Sequence, residues 1–414
     1  VQRSRLDRFV APSSRPSPLA KRLVLVCGLT LFQLLAAGLA AAEPMKVEFF
    51  RFRMPDGKTE VRQGSGLHYG RLGDREGLWA VPDRNGDESA SHIIFIDHKR
   101  LSDVRQGEAI IATEAFRAAA PAQGWDAFDR EHAAIAEPVL ATLRRQIESA
   151  SREENAMLDF EGVTIGRRTP QGPDRLFAVI ETPHSMVLEF DLDTGPGPGR
   201  AVLRDCFCYP ERENERGTDS NDGLEGIAWL GPPSVFYLCE EGTAPHSPTD
   251  KLHFWLKPRL MRCTLQDART LLDDAWSAAA TTNLEKRRTG KSQTLNALSA
   301  IDDRQLLAVD RNGGWIHVVD AASGSVTPWL DLYDAKTRKS GEPVVPGLNL
   351  RERLAHFPGP RVMSYVSIEG IARETNGTVW LIDDPAMPEP FREACLVRVK
   401  NPPPPPKPAS RPGG

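Results

Sequence analysis

Five segments of the chain repeat one plan: a small or acidic residue beside Gly or Ala, a short apolar strand, a turn, a strand ending in acidic residues, and a further strand. They are GSGLHYGRLGDREGLWAVPDRNG from Gly64, DFEGVTIGRRTPQGPDRLFAVIETP from Asp159, GLEGIAWLGPPSVFYLCEEG from Gly223, TLNALSAIDDRQLLAVDRNGGWIHVVD from Thr294 and SIEGIARETNGTVWLIDDP from Ser367. Aligning Ser65, Glu161, Glu225, Asn296 and Glu369 gives spacings of 96, 64, 71 and 73 residues. Periods of this length, made of short strands and turn residues, mark the blades of a β-propeller. A single blade cannot bury both faces of its sheet, so the blades must stack into a ring. The expected fold is therefore all-β, a propeller of five or six blades, with room for a divergent sixth in residues 101–158 or 323–366.

Period-two alternation supports the strands, as in Leu306 and Ala308 against Leu307 and Val309. Helical composition is confined to the excess of the first spacing, about residues 113–151, which reads as a helical insertion between blades. The run VEFFRF from Val47 to Phe52 is expected to pair with a strand near Cys395–Val399 and close the ring.

Both ends of the chain differ from this body. Residues 1–42 carry six basic residues and one acid, and Leu23–Ala42 is apolar, ending in Ala40, Ala41 and Ala42. That layout predicts a signal peptide cut after Ala42, with an uncleaved anchor as the alternative. The protein is then exported, periplasmic or extracellular, with no stable membrane insertion after cleavage. Since the formal net charge is -4 and the leader holds +5, the body holds -9, which weighs against nucleic acid as a partner. Residues 401–414, NPPPPPKPASRPGG, predict a disordered, solvated tail, a spacer or a ligand for a polyproline-binding partner. The mature body, residues 43–400, keeps Cys206, Cys208, Cys239, Cys263 and Cys395; export permits disulfides, and Cys239 with Cys263 is the expected pair.

The Glu-Gly-Ile/Val pattern in DFEGVTI, GLEGIAW and SIEGIAR, followed by LFAVIE, FYLCEE and VWLIDD, resembles the phytase-like family, propellers with esterase-like activity of phytase. The similarity runs over roughly residues 60–400. It implies a secreted propeller linked to calcium and to hydrolysis of phosphate or carboxylic esters.

The residues point to the same place without the name. In a ring of blades Glu161, Glu225, Asn296 and Glu369 converge on the axis, and three carboxylates in one confined site require protons or a cation. Oxygen donors of mixed charge suit Ca²⁺, the expected cofactor. The alternative is that each Glu accepts backbone N–H groups while Gly permits close packing. A second acidic set, Asp83, Glu181, Glu240, Asp310 and Asp383, falls at strand ends, where turn closure competes with catalysis. Glu181 and Asp383, beside prolines, and His184 on the Glu181 loop are the candidate catalytic residues. No GxSxG, HExxH or GxGxxG motif occurs, which disfavours a serine hydrolase, a zinc protease and a dinucleotide enzyme. Three functions stay open at this point: a metal-assisted hydrolase of a small-molecule ester or phosphoester, a non-catalytic binding propeller with structural calcium, and a calcium-dependent lactonase. The sequence does not fix the oligomeric state.

Overall fold

The computed structural model describes residues 43–83, 91–151, 158–181, 185–195, 198–208, 223–231, 235–240, 259–263, 271–272, 295–311, 313–333, 345–355, 367–384 and 394–407. The leader, His184 and the side chains of Glu240 and Cys263 lie outside the described residues. Every described strand and helix belongs to the compact unit Met45–Gly414. No described helix is long and apolar enough to cross a membrane.

The first strand, β1 (Lys46–Arg53), is completed from the far end of the chain. Blade 1 is β2 (Gly64–Leu72), β3 (Arg75–Pro82), β4 (His92–Asp97) and β6 (Glu114–Ala119), while β5 (Ala109–Ile111) pairs in parallel with β1. Blade 2 is β7 (Phe160–Gly166), β8 (Arg175–Ile180), β9 (Met186–Asp193) and β10 (Gly199–Cys208). Blade 3 is β11 (Leu224–Leu230), β12 (Val235–Glu240), β13 (Arg259–Cys263) and β14 (Leu271–Leu272). Blade 4 is β15 (Ala297–Ala300), β16 (Gln305–Asp310), β17 (Trp315–Asp320) and β18 (Val326–Asp331). Blade 5 takes β19 (Ile368–Arg373), β20 (Val379–Asp383) and β21 (Cys395–Lys400), and β1 joins as its outer strand in the register Val47↔Val399. The expected closure of the ring by the two chain ends is present.

The inner strands settle the blade number. In turn β2, β7, β11, β15 and β19 contact one another, and β19 returns to β2, so five blades complete the circle. Each seam between neighbours holds one apolar cluster. Leu306, Ala308 and Val319 face blade 3, for example, while Leu307, Val309 and Ile316 face blade 5. This is the alternation read from the sequence, and it shows why the blades need each other: both faces of a sheet are apolar.

Three expectations need correction. Residues 113–151 are not helical throughout, because Glu114–Ala119 forms β6, pairing with β4 and, in parallel, with β10 of blade 2. The helical part starts at Trp125, with α2 (Trp125–Glu131) and α3 (Glu137–Ser151) after the short α1 (His98–Asp103); Phe128, Leu143 and Ile147 cap the seam between blades 1 and 2. Cys239 is buried. On the paired strands it stands opposite Leu260, whereas Cys263 stands opposite Phe236, an offset of three residues or about 10 Å, beyond the reach of a disulfide. The tail is not solvated throughout: Trp329 Nε1 donates to the Pro403 carbonyl at 3.0 Å and Gln305 Nε2 to that of Pro406 at 3.0 Å.

Candidate functional site

The five aligned polar residues owe their position to a defect repeated in each blade. Pairing of the first two strands skips one residue between Gly64 and Gly66, Phe160 and Gly162, Leu224 and Gly226, and Ile368 and Gly370. The skipped residues are Ser65, Glu161, Glu225 and Glu369. In blade 4 Ala297 pairs with Val309, whose carbonyl also accepts from Asn296 N at 3.1 Å, giving the same two-against-one count. A bulge kinks its strand and re-aims the extra side chain. The glycine that follows permits the kinked strands to meet. A Cβ on Gly66 would lie 2.6 Å from Gly162 Cα, and one on Gly162 would lie 2.9 Å from Gly226 Cα. Glutamate and glycine thus do separate jobs, one aimed off the sheet and one closing the ring.

The five side chains reach one another in part. Ser65 Oγ donates to the Glu161 carbonyl at 3.3 Å and also touches the Glu161 carboxylate. Asn296 Nδ2 lies 3.5 Å from Glu225 Oε2. Glu369 Oε1 accepts from Ser367 Oγ at 2.6 Å and is bound by the Arg311 guanidinium, which also donates to Ser367 Oγ at 3.3 Å. Tyr333 OH holds the Arg311 carbonyl at 2.8 Å. Glu369 is therefore neutralised from within blade 4, while Asn296 Oδ1 and Glu369 Oε2 are buried acceptors with no hydrogen-bond partner.

Negative charge collects on the other side. Carboxylate oxygens of Asp83, Asp159 and Glu161 lie within 4.8 Å of one another. Burial, followed by the charges of Glu225, Asp83, Asp159 and Glu181, pushes the Glu161 carboxyl well above the usual carboxylate range. A carboxyl so placed takes up a proton or meets a cation. The three donors are all carboxylate oxygens, buried or half-buried, and they fit a hard cation.

The second acidic set divides. Ladder pairing puts Pro82, Ile180, Glu240 and Asp383 in one column, so Asp83 and Glu181 belong one residue further on, with Asp384. Backbone bonds agree: Asp83 N to Gln63 O, Glu181 N to Asp159 O and Asp384 N to Ser367 O. Asp310 closes its turn, accepting from Gly313 N at 2.7 Å. Asp383, buried, accepts from Cys395 N at 2.5 Å and so is bound to the next strand outward. Glu181 accepts from Gly223 N at 2.8 Å but also charges the Glu161 cluster. Two participants escape a sequence reading. Asp159 precedes Glu161 by two, where the other blades carry no carboxylate. Arg311 sits in the column that otherwise holds Asp83, Glu181 and Asp384, the one cation among acids.

Among solved structures, a luciferin-regenerating enzyme is 10% identical, covering 86% of this chain and 95% of that one at a TM-score of 0.38. A streptogramin B lyase is 10% identical, covering 87% and 99% at 0.36. An auxiliary nutrient binding protein from Bacteroides thetaiotaomicron is 10% identical, covering 86% and 76% at 0.33. A comparison with curated protein sequences returned no match. The family model described as phytase-like, esterase-like activity of phytase, matches residues 59–385. That span runs from before β2 to the end of β20, through all five bulges, and the chain belongs to the phytase-like family.

Proposed function

We propose that this phytase-like propeller binds calcium at the mouth of its channel and hydrolyses a phosphate or carboxylic ester there with the ion's assistance. One observation carries the reading: the oxygens of half-buried Asp83 and of buried Asp159 and Glu161, grouped within 4.8 Å and crowded further by Glu225 and Glu181. The expected ligand set Glu161, Glu225, Asn296 and Glu369 shifts accordingly. Asp83, Asp159, Glu161 and Glu225 supply charge, Asn296 offers its amide oxygen, and Glu369 is shared with Arg311. A bound calcium supplies positive charge that draws an anionic ester to an acidic surface and polarises its oxygen. Arg311 places a fixed guanidinium on the blade 4 side, suited to a phosphate or carboxylate oxygen. The export of the protein rests on the leader composition of residues 1–42.

A second reading, a binding propeller with structural calcium, is favoured by one fact: Glu181 and Asp383 both bind backbone N–H groups, as loop-positioning residues do. Phosphate, carboxylic and lactone esters offered to the protein with Ca²⁺ or with chelator separate the readings. Turnover lost in chelator and restored by Ca²⁺ supports the hydrolase, and preference for the lactone identifies a lactonase. Melting lowered by chelator with no turnover of any ester leaves the binding propeller.

A further inference from the structure

The tail contacts are independent of the channel and carry an assignment of their own. Asn401, with φ 50, turns the chain off the end of β21. Pro402–Lys407 then runs along blade 4, where the Trp329 indole N–H and the Gln305 amide bind the carbonyls of Pro403 and Pro406. These carbonyls are three residues apart. A polyproline II helix has three residues per turn and no internal hydrogen bonds, so carbonyls at i and i+3 face the same way, roughly 9 Å apart, with nothing else to bind. Two donors reading that interval recognise the conformation as well as the composition.

The ladder of β17 and β18 pairs Ile316 with Leu330 and His317 with Pro328, leaving Trp329 as the extra residue of a bulge on the outer strand of its blade. That defect turns the indole out of the alternation. Gln305 stands at the start of β16 on the face of Leu307 and Val309, which looks toward blade 5, and the Trp329 ring belongs to the same apolar cluster as Val47, Phe49 and Val399. The groove therefore lies along the seam between blades 4 and 5, next to the strand pair that closes the ring.

We infer that this seam is a polyproline II receptor, whose occupant is the chain's own Pro402–Lys407 segment. A proline-rich peptide of the same class enters it only when that segment leaves. The prolines suit the site because their conformation exists before binding, so little chain entropy is lost.

Indole N–H resonances of the full-length, ¹⁵N-labelled protein provide the test. The peak that disappears in Trp329→Phe belongs to the bound indole. In a full-length variant with serine at 402–406 this peak should shift and lose protection from exchange. The synthetic peptide PPPPPKP should then restore it saturably, while the parent protein ignores the peptide. Gln305→Leu in the serine variant should weaken the peptide about fivefold, the worth of one net hydrogen bond. An indole peak indifferent to the serine replacement overturns the inference. So does a peptide that binds parent and serine variant alike, or one that binds equally with and without Gln305.

Discussion

Replacing Glu161 with Gln removes one charge from the acidic group and leaves its shape. With oxygens no more than 4.8 Å apart, each like-charged pair costs at least about 3 kcal/mol at an effective dielectric of about 20. Two such pairs, to Asp83 and Asp159, reach roughly half the stability of an ordinary domain. The metal-free protein escapes this by keeping a proton on Glu161, whose folded value stands well above the ordinary 4.5. The sign follows from that. A raised folded value gives stability that is complete below the unfolded value and is lost as pH rises through the folded one. While the folded state holds the proton and the unfolded chain has released it, stability falls by about 1.4 kcal/mol per pH unit. In chelator, urea unfolding of the parent should therefore lose stability as pH rises above the unfolded carboxyl's range, more steeply than Glu161→Gln does. Calcium should flatten the parent curve, because an ion replaces the proton, and should do little for the variant. Parallel curves for the two proteins in chelator would refute the argument, since they would mean that Glu161 carries no excess proton.

Gly162→Ala should cost about 1–3 kcal/mol in urea unfolding, because its Cβ meets Gly226 Cα and Ile227 N at 2.9 Å. Gly231→Ala, with nothing within 4 Å, serves as the control and should stay within about 0.5 kcal/mol of the parent. Arg311→Met strands the Glu369 carboxylate and should destabilise by about 3 kcal/mol; equal stability to the parent would show that the pair is immaterial. His132 at the end of α2 binds Asp205 of β10 at 2.5 Å. Burial alone lowers its pKa, but the bonds to Asp205 and the Phe128 carbonyl more than offset this, and the net shift is upward. That contact is then complete below the unfolded value of 6.5 and lost as pH rises through the folded one. Amides of α2 should exchange faster at pH 8.5 than at pH 6 after correction for intrinsic rates, and Asp205→Asn should remove the difference.

The sequence carried the blade plan because its causes are local. Glu-Gly at the start of an inner strand records a bulge and a close approach, and both are properties of two adjacent residues. Ring closure by VEFFRF was legible for a similar reason, as an apolar strand at one end of the chain has to find a partner. What depended on pairing was hidden. EAFRAA at Glu114–Ala119 is half Ala, yet it lies between two strands that need a partner, and tertiary pairing overrides propensity. The bulges also displace the acidic columns by one residue, so Asp83 and Glu181 match Asp384 and not Asp383, an offset invisible in a list of strand-end acids. Cys239 and Cys263 share a blade and still miss each other by three positions of register. For the tail, composition marked the proline run but predicted a disordered, solvated segment, and the contacts to blade 4 correct that. Its receptor, however, takes Trp329 from one strand and Gln305 from another.

Charge around the channel is lopsided, and this bears on what can bind there. Blades 1 and 2 contribute Asp83, Asp159, Glu161 and Glu181, and Glu225 adds to them from blade 3. Blade 4 answers with the amide of Asn296 and with Arg311, whose guanidinium neutralises Glu369. A cation on the axis would face Arg311, and like charges repel. The electrostatically favoured position is off the axis, against blades 1 and 2. On the proposed reading, an anionic ester would then lie between the ion and Arg311, with a positive charge on either side. On that reading Arg311 belongs to the substrate side and Glu161 to the ion side. Arg311→Met should weaken an anionic ester far more than a neutral lactone, while leaving calcium binding at least as tight as in the parent. Equal weakening of both esters would place Arg311 outside the substrate's reach.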